Sequence, residues 1–308
     1  YKSVKGFSMY YYKIYDLNLT SDLSFPQLMP GNDGSTDVEI TSDHVDSLIP
    51  PHSSEISYDF SSDVSWLENR TCYLLIQNGN KISYQLKPGG NEIYLRTYIL
   101  GWGMSMLAMQ RNEAALHCST VSDQNGAFLF CGESGSGKST LTNAYLTRGY
   151  QLMADDMALV EYDKSGFARV KAAFPYQKLC RDAALRSGHS LEQLIYIDEE
   201  KDKFLVPCHD IFNAAPKVIK GMIILIKAPV TGVQCQKLQG LDAFHACANN
   251  LFMRHLLKEN KYAPQTGSLC LKIASCVPVY VILRPDGVDT TQEVIRTTFS
   301  ITEKMDEL

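Results

Sequence analysis

With 308 residues, 45% of them hydrophobic and 20% charged, the chain has the make-up of a packed globular protein, long enough for one large domain or two modest ones. Its formal net charge of -5 argues against a dedicated nucleic-acid binder, because grip on a polyanion needs clustered Lys and Arg and no basic tract is present. Nine cysteines, an odd number without a C-x-x-C pair, point to reduced thiols in a cytoplasm. No apolar run nears the roughly 18 residues of a membrane span, and no signal-peptide core opens the chain.

The first eight residues show no structural pattern and are set aside from the fold; their Ser3, Ser8 and two lysines could mimic a substrate peptide. Residues 10–19 read as a strand through Tyr12, Ile14 and either Tyr15 or Leu17, on aromatic enrichment. Residues 20–54, rich in Ser, Asp, Pro and Gly, read mostly as loop, with a strand only at 37–41. Residues 72–77 and 81–86 flank Asn78-Gly79-Asn80, a short-range hairpin signal. The first part, residues 9–95, is therefore expected to be a small β-rich domain that recruits an acceptor, for example by adding a peptide strand to a sheet edge.

A helix is expected over 92–111, where Ile99, Trp102, Met106, Leu107 and Met109 recur, with the domain boundary somewhere in 94–112. From residue 114 the pattern becomes α/β: apolar strands at 114–121 and 127–131 lead into a glycine-rich loop and a helical segment at 139–148. Further strands are expected at 151–153, 157–162, 221–226 and 277–283, and short helices at 181–187 and 290–298. An amphipathic helix over 242–258 places Phe244, Cys247, Ala248, Leu251 and His255 on one face. The catalytic domain is thus taken as residues 96–308.

Gly132-Glu133-Ser134-Gly135-Ser136-Gly137-Lys138-Ser139-Thr140 matches G-x-x-x-x-G-K-[ST], between an apolar strand and a segment free of Gly and Pro up to Arg148. Glycines let the backbone wrap an anion so that successive N–H groups and a helix N-terminus point at phosphate oxygens. Lys138 then adds charge at the outer phosphates, and Ser139 offers a hydroxyl to magnesium. The nine residues of the motif form the expected nucleotide cradle.

About seventeen residues after Lys138 comes Ala154-Asp155-Asp156, directly behind the hydrophobic run 150–153. A carboxylate at the end of a neighbouring strand can reach a metal beside the loop; a second is free to take a proton from an attacking hydroxyl. Upstream, His117 sits in Leu116-His117-Cys118-Ser119-Thr120, from which its imidazole could hydrogen-bond Asp155. Alone, a histidine there is more often structural.

Together, Leu116-His117, the glycine-rich motif and Arg148-Gly149-Tyr150-Gln151-Leu152-Met153-Ala154-Asp155-Asp156 resemble the catalytic core of the HPr kinase/phosphorylase family. More closely, the chain is similar to stand-alone HPr-kinase-like proteins found near peptide-modification genes, some of which phosphorylate serine in lasso-peptide precursors. The resemblance implies a P-loop kinase core of the HPr kinase type, with ATP and Mg2+ as cofactors, Asp155 as catalytic base paired with His117, and Asp156 as the metal-site carboxylate beside Ser139. Phe174-Pro175-Tyr176-Gln177-Lys178-Leu179 looks like the family's proline-containing segment. Lys203, in Lys203-Phe204-Leu205-Val206-Pro207, looks like its later lysine, touching phosphate or acceptor; a solvated surface lysine is an equal account, with Lys201 the competing position. The Glu-Arg-Gly-rich signature of HPr kinases proper has no match, which turns expectation away from HPr as substrate and leaves Glu161 to stand in for a second metal carboxylate.

The resulting expectation is a phosphotransferase acting on a Ser or Thr hydroxyl of a peptide or on a small hydroxy compound. Its partners would be a nucleotide and that acceptor, without nucleic acid or membrane, and with a homo-oligomer left open. A nucleotide-gated peptide-binding module and a simple NTPase are the alternatives.

Overall fold

The computed structural model describes residues 8–52, 57–198, 202–254 and 264–306. The chain divides into two compact units, Tyr1–Asn112 and Glu113–Leu308. The division thus falls after Asn112 rather than after residue 95, because the long helical stretch belongs whole to the first unit. No helix of the described residues is long and apolar enough to cross a membrane.

In the first unit, strands β1 (Tyr10–Ile14), β2 (Leu17–Ser21), β3 (Met29–Pro30), β4 (Val38–Ser42), β5 (Tyr58–Asp59), β6 (Val64–Glu68), β7 (Cys72–Gln77) and β8 (Lys81–Leu86) form one sheet in the order β3-β1-β2-β4-β8-β7-β6-β5. The β7–β8 hairpin has the predicted limits, with Asn78 and Gly79 both at positive φ (51° and 64°). The single strand expected at 10–19 is instead a hairpin turned by Tyr15 and Asp16, whose φ values are 52° and 58°. Tyrosine carries no turn signal, but its side chain is 1% exposed there, and that burial offsets an unfavourable backbone. Both sheet edges, β3 and β5, are two residues long, and Pro30 lacks an N–H; edges so short offer little to a docking strand.

The predicted helix begins at Glu92, where Asn91 caps it by accepting from the Ile93 N–H at 2.8 Å. It runs as α1 (Glu92–Tyr98), a π-helical turn (Ile99–Gly103) and α2 (Met104–Gln110), loosened where Gly101 and Gly103 interrupt it. Gln110 ties its end to the hairpin, donating to the Ile76 carbonyl and accepting from Gly79 N–H.

The second unit is built on a nine-stranded sheet comprising β9 (Ala114–Leu116), β10 (Cys118–Ser122), β11 (Ala127–Gly132), β12 (Gln151–Ala154), β13 (Ala158–Tyr162), β14 (Ala168–Lys171), β18 (Lys217–Lys227), β19 (Gln234–Leu238) and β20 (Val279–Arg284). A separate three-stranded sheet, β15 (Tyr176–Cys180), β17 (Lys203–Pro207) and β16 (Ile195–Asp198), follows β14. Central β18 runs parallel to β11 on one side; on the other it pairs antiparallel with β14 at Lys217 and Val218, then parallel with β20 from Met222. Helix α3 (Lys138–Leu146) and the helix Thr291–Asp306 share one core, where Tyr145 stacks on Phe299 at 4.1 Å and bonds Thr302 through its hydroxyl at 2.9 Å.

Two expectations change here. The strand expected over 114–121 breaks at His117: β9 pairs with β13, whereas β10 pairs with β11 and β12. The helix expected over 242–258 spans Gly240–Asn249, and it stops because Leu251 bridges Leu116 and Phe252 N–H bonds the Ala115 carbonyl. Residues 255–258 of that expectation, including His255, lie outside the described residues, as do Ser3 and Lys201.

Candidate active site

Apolar β11, buried throughout, delivers the chain to Gly132, and α3 begins at Lys138. Between them the backbone turns through left-handed conformations at Gly132, Gly135 and Gly137 (φ 133°, 77° and 112°), which side chains other than glycine rarely adopt. At Gly132 an added Cβ would also run into the Leu225 carbonyl oxygen, while at Gly135 nothing lies within 4 Å. The first glycine is therefore required by space and conformation, the second by conformation alone. Lys138 folds back so that its ammonium donates to the Gly132 carbonyl, to the Glu133 carbonyl at 3.2 Å and toward His117 Nε2 at 3.4 Å.

The aspartates follow β12. In the β10–β12 ladder Thr120 pairs with Ala154, so the next residue outward, Ser119, meets Asp155. Its hydroxyl donates to Asp155 Oδ1, and the Lys178 backbone N–H donates to Oδ2 at 2.7 Å. Asp156 stands in a left-handed conformation (φ 75°), which turns its carboxylate to other partners: Lys178 Nζ at 2.8 Å, His117 Nδ1 at 3.7 Å and Lys203 Nζ at 4.0 Å. His117 thus pairs with Asp156, not with Asp155 as expected, because the left-handed turn at Asp156 brings that carboxylate to the ring while Ser119 and the β15 backbone hold Asp155 in place.

These partners drive the two adjacent carboxyls apart. Burial raises the Asp155 pKa above the usual carboxylate range, against the opposing pull of the Ser119 and Lys178 hydrogen bonds. For Asp156, burial is outweighed by Lys178, Lys203 and His117, which hold it well below that range. Burial pushes the His117 imidazole down to about 4, with Lys138 and Lys203 adding to the effect against Asp156, although 35% of its side chain is open to solvent. Lys138 is also lowered, first by burial. At neutral pH the ring is neutral and Asp156 is firmly anionic.

Eleven of the thirteen predicted site residues line one cavity of about 260 Å³: His117, Glu133, Ser134, Gly135, Gly137, Lys138, Ser139, Thr140, Asp155, Asp156 and Lys203. Gly132 and Ser136 line an adjoining cavity instead. The lining of the first carries five cations, Lys138, Lys178, Arg186, Lys203 and Arg284, against three carboxylates, an excess that suits a polyanion. Lys178, Ser119, Arg186 and Arg284 were not singled out from the sequence. For Lys178 the hint was its place in the proline-containing segment; Arg284, which donates to the Ser136 carbonyl at 3.3 Å, had none.

Left-handed glycines, open space at Gly135 and a helix N-terminus fit a phosphate chain. Ser139 and Asp156, the residues expected from the sequence to hold a divalent cation, both line this cavity. Among the described residues no group of three or more His, Cys, Asp or Glu gathers as a metal cage, so further ligands would be phosphate oxygens and water, the shell magnesium prefers. Glu161 does not serve there: it pairs with Lys171 at 2.8 Å, which also binds Glu113 at 2.9 Å, and it does not line the cavity.

No protein-family model and no curated protein matches the chain. Among solved structures, the chain is similar to the Hpr(Ser) kinase/phosphatase from Coxiella burnetii at 15% identity, covering 62% of this chain and 98% of that one with a TM-score of 0.32. At that score the likeness carries no argument about family or activity, which leaves both to the residues of the site.

Proposed function

We propose that the protein is an ATP- and magnesium-dependent kinase that transfers the γ-phosphoryl group to a hydroxyl, most simply a Ser or Thr side chain of a peptide. The observation that carries this reading is the convergence of Lys138, Asp155 and Asp156 on one cavity, with the two carboxyls pushed in opposite directions. Divergent neighbours of this kind divide acid–base work: the raised Asp155 suits proton acceptance, and the strongly anionic Asp156 suits a cation.

When bound, the nucleotide supplies the phosphoryl group and magnesium the countercharge. The loop N–H groups hold the phosphates, and Lys138 leaves its carbonyl partners to neutralise charge on the transferred group. Asp155 takes the proton as the acceptor oxygen bonds to phosphorus and the bond to the leaving phosphate oxygen breaks. Each of its oxygens has a second lone pair beyond the one held by Ser119 or Lys178, so it can accept while staying fixed.

Incubation with γ-labelled ATP, magnesium and a pool of Ser- and Thr-containing peptides tests the reading. Label in peptide that resists chase is the expected result. Release to water alone would favour a simple NTPase, and tight binding without turnover a nucleotide-gated module; either would end the proposal.

A further inference from the structure

The second cavity, of about 500 Å³, lies across the glycine-rich loop from the first and shares Glu133 and Ser134 with it. One wall is aliphatic, made by Ile224, Leu225 and Ile226 at the carboxyl end of β18, the end of a parallel strand where α/β proteins receive ligands. The other wall, Asn249 and Asn250, is polar. Ser136, 3% exposed, lines it too, and its hydroxyl has no hydrogen-bond partner among the described residues.

Its position relative to the reacting groups decides what it serves. The Asn250 carbonyl accepts from the His117 N–H at 2.7 Å, so the polar wall is fastened to the carboxylate end of the first cavity. Ser139 and Thr140, on the first turn of α3 and farther along the loop, line only the first cavity, as does Arg284. A ligand in the second cavity therefore borders the terminal-phosphate end and not the rest of a nucleotide.

We infer that this cavity binds the acceptor, taking a bulky aliphatic side chain next to the hydroxyl-bearing residue while Asn249 and Asn250 meet its peptide backbone. The inference rests on the kinase reading and narrows its acceptor to a peptide with an apolar neighbour, as opposed to a small hydroxy compound. The charged groups at the mouth, Arg254 and Lys227, are paired with Glu133 at 3.4 Å and with Asp286 at 2.9 Å, so they leave the pocket without a net demand for an anionic ligand.

The test is equilibrium binding of two fluorescent heptapeptides to the full chain with magnesium and a non-hydrolysable ATP analogue. Both carry a central serine, flanked by Leu in one and by Asp in the other. The Leu-flanked peptide is expected to bind about tenfold or more tightly, the discrimination a well-formed aliphatic pocket gives. Ile226→Asp, at a residue 41% exposed, should abolish the preference while the analogue's affinity is unchanged, which also reports a folded site. Ile226→Ala, which adds no charge, should reduce it partly. Equal binding of the two peptides by the wild type would overturn the inference, as would an Ile226→Asp variant that loses the nucleotide and keeps the peptide preference, since the cavity would then hold the base. Binding is read without turnover: a protein that prefers the Leu-flanked peptide but transfers no phosphate would refute the kinase and keep the pocket.

Discussion

The glycine-rich loop and the carboxylate cluster that shares its cavity are built in opposite ways. The loop is one uninterrupted run from Gly132 to Lys138, whereas the cluster draws His117 from a strand break, Ser119 from β10, Asp155 and Asp156 from the turn after β12, Lys178 from β15 and Lys203 from β17. Backbone conformation governs the first and charge balance the second. The loop should thus fail when a Cβ is added, and the cluster when a charge is removed.

Asp155→Asn is the sharpest way to test the cluster. Transfer should fall about 10²–10⁴-fold, the usual worth of a general base, while nucleotide affinity is kept. Stability should move the other way. A carboxyl with a raised folded pKa is favourable to folding below its unfolded value of about 3.9 and loses that contribution as pH rises through the folded pKa. The variant should therefore melt higher than wild type at pH 7 and lose the advantage near pH 3. The amide can still accept from Lys178 N–H and donate to the Ser119 oxygen. Equal loss of transfer and nucleotide binding would contradict the assignment.

Lys138→Met, the point where loop and cluster meet, should lower transfer about 10²–10³-fold, as loss of one preorganised charge does. Single-turnover assays with labelled ATP measure it.

Lys178→Met separates charge from scaffold, since the backbone N–H that holds Asp155 survives. With the pair only 12% and 18% exposed, unfolding by urea should show a loss of up to about 3 kcal/mol at pH 7. Asp156, whose depressed pKa stabilises the fold above pH about 4 and ceases to do so as acid reaches the folded value, should then contribute less, so the variant's stability should fall less on acidification.

Within the loop, Gly135→Ala tests conformation alone, because its Cβ meets nothing; a cost of about 1–2 kcal/mol is expected from the left-handed φ. Gly132→Ala should cost more, having the Leu225 carbonyl in its way as well. Equal melting temperatures for the two would undo the distinction drawn between them.

The smallest effect is a slope. His117, about 4 when folded and near 6.5 when unfolded, binds more protons in the unfolded chain across that window, so stability should rise with pH between them. His117→Asn should flatten the rise.

Legibility in the sequence followed the same division. The nine-residue motif, the strand before it and the Cys72–Gln77/Lys81–Leu86 hairpin could be read directly because each is specified by neighbours in the chain. The turn at Tyr15 and Asp16 could not, since only tertiary burial of the tyrosine makes it tolerable. The end of the Gly240–Asn249 helix was hidden for a similar reason: apolar periodicity continues past it, but a bridge to Leu116 decides otherwise. The aspartate doublet was visible, yet its partners were not. Which of the two meets His117 depends on the β10–β12 register, and Lys178 arrives from a different sheet.

That double grip of Lys178, by main chain on one carboxylate and by ammonium on the next, makes β15 a gauge of alignment. A strand shifted by one position would point the wrong backbone group at Asp155 and swing the ammonium to the opposite side, so both acidic groups would lose their contact with Lys178 in a single slip. Damage to the three-stranded sheet should then be felt at both carboxylates at once, even though that sheet contributes no residue to the glycine-rich loop.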